Sequence, residues 1–239
     1  MHRRQREDQI HAALRHLRPE GTIVTHYPPG VAPSRFVPGD FSLHRAAVNH
    51  GVSGATTRIG KCIQAGERTR YGNTDFARWT HSALIVSEDG DVCEALETGV
   101  ARDNIEKYRG TDYMIVQPMG SPEQRALACA FAESHVGDKY GILNFAGLVI
   151  ECLFGWNLTI AMDGQFICSG LVSRATEKYI AGYPRSPEDM MPADLAYFWG
   201  AESGEPLPAP GPLGRFLNLL PLIVDLVRHD ASHPPPAGG

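Results

Sequence analysis

The order of the hydrophobic periodicities limits this chain's fold more than any other feature, because strand-like segments come first and helical ones after. His81 to Ser87 and Val92 to Glu97 read as two strands joined by Glu88-Asp89-Gly90, where the Asp-Gly pair is a strong hairpin signal. Phe41 to His44 and Tyr113 to Gln117 read as further strands, the latter closed by Pro118. A loop and helix are expected through Thr56 to Ala65. Beyond Pro118 the period lengthens. Glu123 to His135 is expected to be a helix opened by Ser121, with Pro122 at its first position. A second helix is expected within Leu143 to Leu153 and a third from Cys168 to Tyr179. Strands followed by helices point to an antiparallel sheet with helices packed on it, not to alternating parallel units, so the expected class is α+β.

Composition shifts divide the chain into four regions. Residues 1–35 read as an N-terminal helix, with Ile10, Ala13, Leu14 and Leu17 on one face, followed by a proline-rich linker between Tyr27 and Pro38. Residues 36–200 form the main domain, 201–212 a stiff Pro-rich linker, and 213–239 an apolar helix with a disordered tail. Leu213 to Val227 is too short to span a bilayer and contains Pro221. It is expected to dock on its own domain, with a membrane surface or a partner helix as the alternatives. A net charge of -5, with Lys and Arg scattered, leaves no basic stripe for phosphates and argues against nucleic acid as a partner. Met1 to Leu17 lacks the apolar stretch of a secretory signal, so the default location is the cytoplasm, with export by another route or a virus particle as alternatives.

The five cysteines are odd in number, and none stands in Cys-x-x-Cys spacing, so neither a disulfide framework nor a metal site is expected. A cysteine in an apolar run is most often a small buried hydrophobe, and Cys62, Cys93, Cys129 and Cys152 are read that way. Cys168 differs. It follows a short extended stretch, Gln165-Phe166-Ile167, and precedes residues whose apolar members fall at helical spacing. Its sulfur therefore lies in the first turn of a helix, where the dipole favours an anion and free N–H groups can receive an oxyanion. His81 opens a strand, and Glu94 lies on the next one across the hairpin, close enough for a carboxylate to orient an imidazole. His44 and His135 have no metal-ligand spacing and are read as solvated or capping residues.

Five short pieces then occur in a familiar order: Pro38-Gly39-Asp40, Trp79-Thr80-His81-Ser82-Ala83, Glu94-Ala95 with Gly99-Val100, Gly137-Asp138-Lys139-Tyr140 and Cys168-Ser169-Gly170-Leu171-Val172. Together they resemble the circularly permuted papain-like hydrolases of the NlpC type, most closely the YiiX/YebB-like branch and more distantly lecithin:retinol acyltransferase. Gly170 and the long stretch from Gly141 to Gln165 depart from that pattern. The resemblance implies a permuted papain-like fold, with Cys168 as nucleophile, His81 as base and Glu94 as the orienting residue. Tyr140 and Ser169 are carried over as substrate-binding residues. The expected activity is that of a cysteine hydrolase, a peptidase or amidase acting on peptide bonds of the cell-wall type through an acyl-enzyme, with no metal or organic cofactor. Two alternatives stand beside it: a lipid-directed thiol acyltransferase or hydrolase, and a non-catalytic papain-like protein of an envelope or virus particle.

Overall fold

The computed structural model describes residues 20–45, 63–68, 71, 74–96, 98–141, 165–179, 182–183 and 185–204. The expected helices within 6–17, 143–153 and 213–227, and most of that over 56–65, lie outside the described residues, as do residues 205–212 of the expected linker.

The strands are β1 (Ile23–Tyr27), β2 (Phe41–His44), β3 (His81–Ile85), β4 (Asp91–Leu96), β5 (Gly99–Asn104) and β6 (Tyr113–Gln117). They form one antiparallel sheet in the order β1-β6-β2-β3-β4-β5. Helices follow: α1 (Pro122–Ser134), α2 (Cys168–Thr176) and α3 (Pro192–Trp199). A small parallel pair, β7 (Lys139–Tyr140) and β8 (Gln165–Phe166), leads into α2. The α+β class expected from the order of periodicities is the class observed.

Two strands of the six-stranded sheet are absent from the sequence reading. β1 lies ahead of the boundary expected at Phe36, yet it pairs with β6 from Ile23↔Gln117 to Tyr27↔Tyr113, so the sheet begins within the region read as helix and linker. β5 is an edge strand whose polar second half faces solvent, so it carries no alternation to read.

Alternation along the strands sorts the core into two layers. Phe41, Leu43, Leu84, Cys93, Met114 and Val116 face the helices and pack with Ala128, Val172, Ala175, Leu195 and Trp199. Ala83, Ile85, Val92, Tyr113 and Ile115 face the other way and are covered by Phe36 and Ile105. Each large side chain so buried contributes about 1.5–3 kcal/mol. The buried tryptophans also satisfy their indole N–H groups, Trp79 on the Ala201 carbonyl (3.3 Å) and Trp199 on Tyr183 Oη (3.0 Å). α1 begins where its sequence says it should. Ser121 Oγ accepts from the Gln124 N–H, and Gln124 Oε1 accepts from the Ser121 N–H, a reciprocal cap contributing about 1 kcal/mol.

Candidate active site

The site forms where the sheet comes apart. β3 and β4 pair only through Leu84↔Cys93 and Ile85↔Val92, although β3 starts at His81 and β4 runs on to Leu96. α2 packs against both strands, and its first residue, Cys168, meets His81 and the Ser82 backbone on β3 beside this gap. Ile85 donates its N–H to the carbonyl of Asp40, the residue just ahead of β2, so the odd-numbered N–H groups of β3 point toward β2 and the even-numbered ones toward β4. The Ser82 N–H thus faces the side where the ladder has ended, and it is directed at the Cys168 sulfur together with the Ser169 N–H.

Cys168 is the first residue of α2, after Ile167 in extended conformation at the N-cap, and is only 3% exposed. Its thiol is hydrogen-bonded to His81. The other face of that imidazole is fixed: His81 Nε2 donates to Glu94 Oε2 at 2.6 Å, which leaves Nδ1 for the sulfur. Glu94 is completely buried and accepts three hydrogen bonds, from His81 and Tyr108 at Oε2 and from Lys107 Nζ at Oε1. Cysteine, histidine and glutamate therefore form one continuous chain.

The electrostatics point one way along that chain. Burial pushes the Cys168 thiol up, but the adjacent His81 charge, its hydrogen bond and the two backbone N–H groups outweigh this and bring it below the ordinary thiol value. Burial pulls His81 down, and the sulfur and Glu94 together raise it to about 9. Burial of Glu94 is likewise overcome, by His81 and then Lys107, which hold its carboxyl at about 2. A thiolate–imidazolium pair backed by a carboxylate is the state these interactions favour. Cys93 shows the contrast: buried without a cationic partner to match, it is pushed up to about 12.

The structure adds residues that sequence reasoning missed. Lys107 and Tyr108 come from the 3-10 turn Ile105–Tyr108 after β5. His44, expected to be solvated or capping, is instead fully buried on the same face as His81. Its ring stacks on Tyr108 (3.8 Å) and lies 6.0 Å from the His81 ring, while its Nε2 meets Ser42 Oγ at 2.8 Å. Burial and the nearby His81 charge hold it well below the usual histidine range, so it is neutral. The alternation in Phe41-Ser42-Leu43-His44 carried this signal, since it places position 44 on the face opposite Leu43. His135 does cap a helix, ending α1 with its Nδ1 on Asp138 (2.7 Å).

The two residues carried over as substrate-binding fare differently. The Ser169 hydroxyl is buried and donates to the Met190 carbonyl at 2.6 Å, so it ties α2 to the 3-10 turn Pro187–Asp189; only its backbone N–H faces the sulfur. Tyr140 pairs with Phe166 in the strand leading to Cys168, and its ring lies outside the described atoms. Gly170 sits in close but not prohibitive surroundings. A Cβ there would stand 3.3 Å from Ile167 Cγ1 and 3.5 Å from the Pro187 carbonyl oxygen, where the same 3-10 turn crosses the helix.

Among the described residues, no group of three or more His, Cys, Asp or Glu is placed to hold a metal ion, and no helix is long and apolar enough to cross a membrane. No protein-family model matches the chain, and no curated protein matches it either.

Proposed function

We propose that this protein is a cysteine hydrolase of permuted papain-like fold that cleaves amide bonds in peptides of the cell-wall type through an acyl-enzyme on Cys168. The observation that carries the reading is the unbroken hydrogen-bonded chain from Cys168 through His81 to Glu94, with the sulfur in the first turn of a buried helix. The Cys168 thiolate attacks the carbonyl carbon, forming a C–S bond. The first N–H groups of α2, which have no carbonyl partner within the helix, receive the developing oxyanion. As the C–N bond breaks, His81 Nδ1 delivers its proton to the leaving amine. In the second half-reaction His81 takes a proton from water, the hydroxide attacks the thioester and the thiolate leaves. Glu94 holds the ring in one orientation throughout.

The test is iodoacetamide alkylation across pH, read at each cysteine by mass spectrometry, in wild-type protein and His81→Ala. The expected result is that Cys168 reacts well below the pH of an ordinary thiol, Cys93 and Cys129 lag behind, and His81→Ala slows Cys168 alone. A Cys168 no faster than the others overturns the reading. Substrate class is then addressed by incubating cell-wall stem peptides with the wild type and with Cys168→Ala, and looking for a new amine terminus that only the former produces.

A further inference from the structure

We infer that Lys107 is a positioning residue for the second half-reaction: its charge balances Glu94 so that His81 can stand unprotonated in the acyl-enzyme and serve as base toward water. The inference rests on the hydrolase reading above and deepens it.

The free site holds its charges in pairs. Glu94 and Lys107 are directly paired, and the thiolate faces the imidazolium. Acylation removes the thiolate, as its electron pair becomes the C–S bond, and the His81 proton leaves with the amine. His81 must then remain neutral, beside a carboxylate that has no exposed surface, until a water molecule is in place. A buried carboxylate facing only a neutral imidazole draws a proton onto the pair, and either resting place for that proton, His81 or Glu94, removes the base. The groups facing Glu94 come from several elements. They are His81 on β3, Cys168 on α2, neutral His44 on β2 one ring away across Tyr108, and Lys107 with Tyr108 on the 3-10 turn. Once Cys168 is acylated and His81 is neutral, Lys107 is the one cation in that set. Tyr108 contributes a hydrogen bond and no charge. Lys107 is in turn shared with Asp103 on β5 (Nζ–Oδ2, 2.7 Å), which is half exposed and draws part of the cation's field away from Glu94.

Water adds to the thioester carbonyl, its proton passes to His81 Nδ1, the C–S bond breaks and the thiolate returns beside an imidazolium. Only the form of the Glu94–His81 pair with neither proton in excess can do this. Its share of the population at a given pH is what Lys107 sets.

The experiment uses p-nitrophenyl acetate as the acyl donor and follows loss of the acetyl group from Cys168 by intact mass, from pH 5 to 9. An opposite charge at contact distance moves a titration by about 1–3 pH units, so in Lys107→Met the deacetylation midpoint should rise by about one unit or more. Below that midpoint the rate should be about tenfold slower than wild type. Lys107→Arg should restore the wild-type midpoint. Asp103→Asn, at an exposed position that leaves the fold intact, should move it the other way, to lower pH and by less. A merely structural Lys107 predicts loss of folded protein with no opposite-signed response at Asp103. If the wild type acetylates and turns over while Lys107→Met and Asp103→Asn keep its midpoint, the role of Lys107 is overturned and the hydrolase reading stands. If Cys168 of the wild type takes no acetyl group, or takes it equally well in His81→Ala, the hydrolase reading falls and this one with it.

Discussion

Glu94→Gln isolates the electrostatic part of the site, because the amide keeps the shape of the side chain and removes its charge. The carboxyl titrates at about 2 in the fold against 4.5 when free. Each pH unit of that interval is linked to stability by about 1.4 kcal/mol, so the ionised form adds roughly 3 kcal/mol that the protonated form lacks. The side chain is fully buried, so solvent does not screen this contribution away. A depressed carboxyl stabilises above its unfolded value and loses that contribution as pH falls through its folded value. The difference between wild type and Glu94→Gln should therefore be about 3 kcal/mol at pH 7, in the range measured when one partner of a buried ion pair is removed. It should begin to shrink below about pH 4.5 and fall to about half or less by pH 3. Urea unfolding of both proteins at pH 7, 5, 4 and 3 measures it directly, and common titrations cancel in the difference. A gap below about 1 kcal/mol at pH 7, or one of equal size at pH 3, would refute a charged Glu94 as the anchor of the site.

Three further outcomes follow from the same geometry. His81 is raised to about 9, so its imidazolium is present below that pH and lost above it; single-turnover acylation by an amide should decline above pH 9 while iodoacetamide alkylation of Cys168 persists, and a parallel rise of both would contradict His81 as the acid. Gly39 has φ +90°, and a Cβ there would lie 2.4 Å from Tyr179 Oη and 2.9 Å from Arg125 Cβ. Gly39→Ala should cost about 1–3 kcal/mol in urea unfolding. Ser169→Ala removes the hydroxyl from the buried Met190 carbonyl and should cost about 1–3 kcal/mol while leaving Cys168 alkylation within about twofold of wild type, whereas a substrate-binding hydroxyl would show its loss in KM instead.

Local chemistry made much of this legible before any coordinates. Ser121 and Pro122 announce α1, and its observed limits differ from the expected ones by a single residue at each end. The alternation around Cys93 and Glu94 turns the two side chains to opposite faces; which face meets the helices is seen only in the structure, where Cys93 packs in the helical layer. Chain order brought Cys168, His81 and Glu94 together as candidates. What remained hidden depends on tertiary context. β1 and β5 are edge strands with half-exposed faces, and their pairing is decided by β6 and β4 rather than by their own pattern. Lys107 and Tyr108 reach Glu94 only because β5 runs antiparallel to β4 and the turn after it folds back over the sheet. Ser169 looked functional through its position next to Cys168, but one step along a helix turns a side chain by about 100° and points this one into the protein.

The gap between β3 and β4 explains why these parts can coexist. Had the ladder continued in register, Glu94 would stand opposite Ala83, the Ser82 N–H would be consumed by a carbonyl of β4, and α2 would have no place to bring its first turn. Ending the pairing after Leu84↔Cys93 forfeits a few sheet hydrogen bonds, each of modest net value, and leaves donors that must find other acceptors. The Cys168 sulfur at the N-terminus of α2 is such an acceptor: it takes the Ser82 and Ser169 N–H groups, and they in turn help bring its thiol below the ordinary value. The anion so created calls for the His81 cation, the cation for Glu94, and the fully buried carboxylate for Lys107 at the surface. Each charge is tolerable only because the next is present, so the break in the sheet and the ionised cysteine are two consequences of one arrangement. Restoring the ladder and neutralising the sulfur would have to happen together.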